Sequence, residues 1–376
     1  MTQLQEPPVL DAPPAPRRRR RGRWVAVCVL CVLAVPGVSF GRAMVAPGAA
    51  PASVRAVEWV RDHGGAHLVD LAENWWFSRH VPHGAVPAVR GPEVPAGTPG
   101  APPVVRGAVT ESPAEGHWTA GRLGSDGLPA LYSTWFRPDA SDPGVVAAAA
   151  WIRAGSYRAH LVAGTKEPDT GSWPGDARVA PGDVPNLLAT FNAGFTFHDT
   201  PGGFFEDGRS SRSLVDGLAT ATISGSGALQ VGLLGADVSL AGGTTQARQN
   251  LHLVVADGAP VAGLAANGSG RWGTAHNQGQ YTWRSGLGVD AAGDLVYVAG
   301  NGLDLVHLAD ALVEAGAVRG MELDMHSGMV SFSSWVPAPA GSKEPVEPAK
   351  LLPDMTREAD RYLAPDQRDF FYLTVD

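Results

Sequence analysis

Residues 287–325 read LGVDAAGDLVYVAGNGLDLVHLADALVEAGAVRGMELDM. Leu287 to Val289 and Leu295 to Val298 are short aliphatic runs, and Gly293-Asp294 between them is a hairpin-type turn. Leu305, Leu308, Ala309, Leu312 and Val313 then share one helical face, in a helix expected to start near Asn301-Gly302 and end near Gly316. A strand from Gly320 to Met325 follows. Upstream, Leu187 to Phe195, Leu218 to Ile223, Leu229 to Leu234 and Leu251 to Ala256 also read as strands, the last running into an Asp257-Gly258 turn. Downstream lies a strand at Met329 to Phe332. Strands outnumber helices throughout, so the expected fold class is α+β, a mixed β-sheet domain with few helices spanning 116–335. Residues 336–376 are expected to form a C-terminal tail, Pro-rich and charged, whose apolar Phe370-Phe371-Tyr372-Leu373 docks as an edge strand.

The chain's 376 residues allow two or three domains, or one large domain with extensions. Its 47 Gly and 31 Pro are unevenly spread, while 44% hydrophobic and 18% charged residues permit a sizeable core and exclude a wholly disordered chain. The net charge of -8 hides an asymmetry: residues 1–23 carry six arginines against Glu6 and Asp11. The body is therefore strongly acidic, which argues against nucleic acid as a partner. Lys166, Lys343 and Lys350 are the only lysines, and with abundant Ala, Gly and Pro this bias points to a GC-rich bacterial source. The only cysteines, Cys28 and Cys31, leave the body without a disulfide or a Cys-based metal site.

Residues 1–23 read as a cytoplasmic Pro/Arg-rich tail. Arg17 to Arg21 precede an uncharged apolar run, 24–40, in the order of a signal's n- and h-regions. The run is at the short edge of a membrane-spanning helix. The arginines should stay inside, placing the body outside: a single-pass membrane protein through residues 24–40 if the signal anchor is kept, a secreted protein if it is cleaved. Residues 41–115 are expected to be a juxtamembrane helix and a Pro/Gly-rich linker. Val54, Val57, Trp59, Val60, Leu68, Leu71 and Trp75 recur at helical spacing with a break at Gly64-Gly65, and Trp75-Trp76-Phe77 are expected to pack on the body in preference to resting at a membrane interface.

Four short motifs carry the chemistry. Phe191-Asn192-Ala193-Gly194-Phe195 ends a predicted strand. Gly202-Gly203 and Asp207-Gly208 follow, where glycine permits close backbone approach or an anion nest, or simply a turn. The third is Arg284-Ser285-Gly286-Leu287-Gly288-Val289. The fourth, Glu322-Leu323-Asp324-Met325-His326-Ser327-Gly328, puts a carboxylate at the end of a strand, as a turn cap or as an open reactive group.

In this order and spacing, Asn192, Gly194, Asp207, Gly208, Arg284, Gly288 and Asp324 resemble the pattern of the phosphodiester glycosidase family over roughly residues 130–335. The resemblance implies an extracellular hydrolase that cleaves a glycosidic bond to a phosphodiester in an envelope or secreted glycan. Family members follow their Leu-Asp with a run of Gly and Ser. Here Met325 and His326 stand there, and their bulk is expected to narrow the site.

For such a reaction the leaving phosphate is already a stable anion, and the barrier lies in an oxocarbenium-like transition state. Asp324 is the first candidate to stabilise or attack that centre, and Glu322 the second, on the same strand face. Arg284 is the expected phosphate clamp. Asn192, Gly194, Gly202, Gly203 and Asp207 are expected to bind substrate, and His326 to bind substrate or activate water. His198, Asp199 and Asp207 could ligate a cation but match no specific metal signature, and the sequence leaves the cofactor unknown. The competing expectation is a non-catalytic glycan-binding or envelope-structural module on the same fold, favoured if the loop after Asp324 blocks access to it.

Overall fold

Along residues 295–299 the side chains alternate between two cores. Leu295, Tyr297 and Ala299 face one, Val296 and Val298 the other, and all five are fully buried. Residues 146–152 do the same, with Trp151 on the second face and Ile152 on the first. Period-2 alternation of apolar residues on both faces marks a sheet covered on both sides.

The computed structural model describes residues 34–45, 51–80, 84–87, 91–106, 112, 114–168, 173–267, 270–273 and 278–375. A helix, α1, is described over 34–44, followed by α2 (Ala52–Val60) and α3 (Ala66–Phe77). The strands begin with β1 (Thr119–Ala120), β2 (Leu131–Phe136), β3 (Val146–Ile152), β4 (Tyr157–Val162), β5 (Leu187–Asn192), β6 (Phe204–Glu206) and β7 (Arg209–Ser210). Next come β8 (Ala219–Ser224), β9 (Leu229–Leu233), β10 (Thr244–Gln249), β11 (Leu253–Ala256), β12 (Ala259–Pro260), β13 (Thr282–Val289) and β14 (Leu295–Leu303). After α4 (Leu305–Glu314) come β15 (Arg319–Met325), β16 (Phe332–Pro337), β17 (Val346–Lys350) and β18 (Phe370–Val375).

Eight strands form the middle layer in the order β1-β2-β3-β14-β13-β15-β11-β12. The apolar stripe of α4 covers one face, and Asp304 caps that helix by accepting the His307 N–H. Two five-stranded sheets, β7-β6-β10-β8-β9 and β17-β16-β5-β18-β4, share the core on the opposite face. Sheet dominates and helices are few, as the sequence suggests. Every described strand ladder runs antiparallel, so the sheets do not mix strand directions as a mixed sheet would.

Residues 336–376 are not a tail. β17 extends the third sheet, and β18 is an interior strand of it, paired with β5 on one side and β4 on the other. The run Phe370 to Leu373 is buried because both its edges and both its faces are covered, a context that an apolar tetrapeptide does not reveal by itself.

Among the described residues no helix is long and apolar enough to cross a membrane. Of the expected span 24–40, residues 24–33 lie outside the described residues, as does the tail 1–23. The expected helical break falls between α2 and α3, where Gly64 takes φ +86°. Trp75 and Trp76 do not pack into the body. They stay half exposed, Trp75 beneath Arg79 and Trp76 stacked on His80, while Phe77 turns towards His326.

Candidate active site

β15 delivers Asp324 to the floor of a cavity of about 460 Å³. The loop after β5 supplies Phe195, Thr196 and Asp199 to its wall, and the segment preceding β18 supplies Arg368. Leu251, Trp272, Gln278, Gln280, Thr282 and Trp283 line another side, and α2, α3 and the turn between them bring Val54, Val57, Glu58, Arg61, Glu73 and Phe77 across the opening. A Cβ on Gly328 would lie 2.4 Å from Val54 Cγ2, a measure of how closely the helical pair sits on the loop after Asp324.

Asp324 is only 5% exposed. Its Oδ2 accepts a hydrogen bond from Arg368 at 2.9 Å and its Oδ1 one from the Met325 N–H at 2.8 Å. Burial pushes its pKa up to about 7 against the pull of Arg368, and the charges of Asp199 and Glu322 push the same way. The carboxyl is therefore poised between its two protonation states near neutrality. The same Arg368 nitrogen donates to the Gly194 carbonyl at 2.8 Å, tying the loop after β5 to β15. Asn250 adds a second tie: its amide donates to the carbonyls of Glu322 and Leu323, and its Oδ1 accepts the Phe195 N–H.

His326 follows in the left-handed region at φ +74°, a conformation that costs a residue with a Cβ about 1–2 kcal/mol. Its N–H bonds the Trp283 carbonyl, and its Nε2 lies 3.4 Å from Glu73 Oε2 on α3. Burial, then the charges of Arg61 and Arg284, push the imidazole down to about 3, so it is neutral at physiological pH and the Glu73 contact is not an ion pair. Arg61 donates to the same Glu73 carboxylate at 2.5 Å.

The other expected site residues are placed differently. Glu322 and Arg284 are buried and paired with each other, and neither lines the cavity. Arg284 also donates to the Leu303 carbonyl, so its guanidinium is held inside the sheet and unavailable to clamp a leaving phosphate. Asn192 is a buried bracket. Its amide donates to Ser285 Oγ, and its Oδ1 accepts from Tyr297 Oη and the Ser331 N–H.

The glycines serve chain packing. A Cβ on Gly202 would lie 2.5 Å from the Gln249 carbonyl oxygen, one on Gly203 2.6 Å from that of Arg212, and one on Gly194 3.1 Å from the Arg248 guanidinium. Asp207, at φ +45°, is the exposed turn residue joining β6 to β7. Thus Asp324 and His326 line the cavity, while Glu322, Arg284, Asn192, Gly194, Gly202, Gly203 and Asp207 do not. Among the described residues no group of three or more His, Cys, Asp or Glu is placed to hold a metal ion.

The sequence reading missed Arg368 and the residues that fix it in place. Arg361 grips Asp366 through two nitrogens, Arg357 adds a third bond, and the Asp366 Oδ1 also accepts the Arg368 N–H. Burial alone would raise Asp366, but Arg361 and Arg357 hold it down to about 2. A signal was present: Asp366, Arg368 and Asp369 sit directly before the apolar run Phe370 to Leu373. Charges abutting a buried strand are retained when paired.

No protein family matches the sequence of the chain, and no curated relative does. Among solved structures, one similar chain is the zebrafish N-acetylglucosamine-1-phosphodiester alpha-N-acetylglucosaminidase catalytic domain, auto-inhibited by pro-peptide. The match has 17% identity and a TM-score of 0.43, and covers 69% of this chain and 87% of that one. Another is a hypothetical protein from Synechocystis, at 14% identity and a TM-score of 0.36, covering 65% of this chain and 62% of that one.

Proposed function

We propose that the body is an extracellular hydrolase that cleaves the glycosidic bond between a sugar and a phosphodiester, releasing the sugar and a phosphate monoester. The observation that carries the reading is Asp324: a carboxyl poised near neutral pH, gripped by Arg368, at the floor of a cavity of about 460 Å³. Ionised, it can stabilise or attack an oxocarbenium-like centre. The ordered motifs around Asn192, Arg284 and Asp324 support the same reading as a resemblance. The proposed roles of Glu322 and Arg284 become structural: they form the buried pair behind Asp324. Neutral His326 is an acceptor for a sugar hydroxyl or for the attacking water. The substrate is proposed to be a glycan of the bacterial envelope, met outside a membrane that residues 24–40 enter.

A second reading is a glycan-binding module without turnover. It is favoured by one observation: α2, α3 and the loop 325–328 together leave Asp324 only 5% exposed. The test is release of sugar from a panel of sugar phosphodiesters by residues 41–376, beside Asp324→Asn. Turnover by the parent that Asp324→Asn loses supports hydrolysis. No turnover by either, with glycan binding kept in both, supports the binding module.

A further inference from the structure

In α3 the positions 68, 71, 72, 75 and 76 share one helical face, and every residue on it is apolar: Leu68, Leu71, Ala72, Trp75 and Trp76. Such a face ordinarily turns to a core. Here it turns to solvent, and its four large side chains are between 50% and 71% exposed. The opposite face makes the contact with the body: Glu73 and Phe77 line the cavity and approach His326. The helix is seated by its mixed face and leaves its apolar face bare.

Single apolar side chains scattered over a surface are ordinary, but a contiguous stripe marks a surface that something covers. The stripe ends in Trp75 and Trp76, with the Arg79 guanidinium 5.3 Å from the Trp75 ring centroid and His80 stacked on Trp76 at 4.0 Å. Tryptophan is enriched at the level of lipid headgroups, and arginine beside it meets anionic ones. The same helical assembly begins with α1, whose Val35 and Val38 are also exposed and whose Phe40 and Ser39 contact Trp59 of α2. The uncharged apolar sequence 24–40 runs directly into α1, with Arg17 to Arg21 before it. A second copy of the chain would also cover an apolar stripe, but neither the tryptophan–arginine end nor the apolar run leading into the assembly calls for one.

We infer that the outer face of α3, from Leu68 to Trp76, lies on the surface of a lipid bilayer, with Arg79 towards anionic headgroups. This contact is separate from residues 24–40. At 12 residues α3 is too short to cross a bilayer, and it lies in the interface instead. The cavity wall formed by Glu73 and Phe77 is then held one helix diameter, about 10 Å, from lipid. For the glycan hydrolase proposed above this sets the encounter with substrate at the membrane surface, a consequence that rests on that reading while the lipid contact does not.

The test places a fluorescent nitrobenzoxadiazole label on the full chain, in vesicles of phosphatidylethanolamine and phosphatidylglycerol. Cys28→Ala and Cys31→Ala remove the native thiols, and the label goes on Ala72→Cys, within the stripe, or on Leu123→Cys, an exposed position of the body. Iodide quenches from water, and a nitroxide-bearing lipid quenches from the bilayer. The label at 72 is expected to be quenched by iodide about fivefold less than the label at 123, and to be quenched by the nitroxide lipid where the label at 123 is not. Trp75→Gln with Trp76→Gln is expected to reverse both differences; the two side chains are half exposed, so the core is untouched. Equal iodide quenching at 72 and 123 overturns the inference. So does protection at 72 without quenching by the nitroxide lipid, which would mean that protein, such as a second copy of the chain, covers the stripe. Lipid contact that the double substitution leaves unchanged also overturns it, because residues 24–40 alone would then bring the helix near the bilayer. Turnover is not read, so every outcome leaves the hydrolase reading to its own assay.

Discussion

Replacing Asp324 by Asn tests the electrostatics of the site independently of any substrate. The folded-state value of Asp324 is about 7, against an ordinary aspartate near 3.8. Because the folded value is the higher one, the folded chain binds this proton more tightly than the unfolded chain. The stabilisation is fully present below about pH 4 and is lost as pH rises through about 7. A difference of roughly three units corresponds to about 4 kcal/mol. Asn carries no titrating group, so its stability lacks this component. Other groups titrate in the same window: His326, depressed to about 3, contributes stability that is present above its ordinary value and lost on acidification. The useful quantity is therefore the difference between parent and Asp324→Asn, in which those contributions cancel. Urea unfolding at pH 4, 5, 6, 7 and 8 is expected to show that difference moving by about 4 kcal/mol in favour of Asn as pH rises. A flat difference would mean that Asp324 is ionised throughout and that Arg368 outweighs burial. The reasoning about a carboxyl poised near neutrality would then be wrong.

Two further outcomes follow from the packing. Arg284→Met leaves Glu322 buried without its partner and is expected to cost about 3–5 kcal/mol, most of it restored by adding Glu322→Gln; chemical denaturation of both variants checks this, and a double variant as unstable as the single one counts against a structural pair. Gly328→Ala places a methyl 2.4 Å from Val54 Cγ2 and is expected to loosen α2 from the loop, giving faster proteolysis within 52–77 while the body stays intact; unchanged cleavage of that segment would contradict the close seating described.

The fold was legible where one element carries its own period. The hairpin 282–303 and helix α4 follow from period 2 and period 3.6, and the end of β15 put Asp324 in view because strand, carboxylate and turn are contiguous. What failed to show depends on pairing across long stretches of chain. Arg368 is 44 residues from Asp324, and no local pattern announces that they meet. Glu322 and Arg284 were read as reactive because each sits in a motif with an open-looking turn, yet the register sets Arg284 against Met325 and Gly286 against Glu322, and across that irregularity the Arg284 and Glu322 side chains pair inside the sheet. The glycines were read as ligand cradles, but Gly202 and Gly203 are required by neighbouring carbonyl oxygens, a constraint set by strands not yet written when the motif is met. Glu58 and Glu73 drew no notice in a segment assigned to a juxtamembrane helix, since only the tertiary position of that helix gives them a site to enter.

The interior position of β18 has a consequence for how the site comes and goes. β4 and β5 are not partners; β18 lies between them, so the edge of β5 away from β16 and the edge of β4 that faces it stay open until residues 370–375 are seated. That closure joins stretches far apart in sequence and carries the loop entropy of a long-range contact. It belongs late in folding and low on the ladder of partial openings, while the eight-stranded layer, joined largely by the hairpins β2–β3 and β13–β14, can persist. An excursion that frees β18 would draw Arg368 away from Asp324 and leave the helix-covered layer folded. The chain would then pass through a form whose helix-covered layer is intact, whose packing around the third sheet has lost Phe370 to Leu373, and whose Asp324 stands without Arg368.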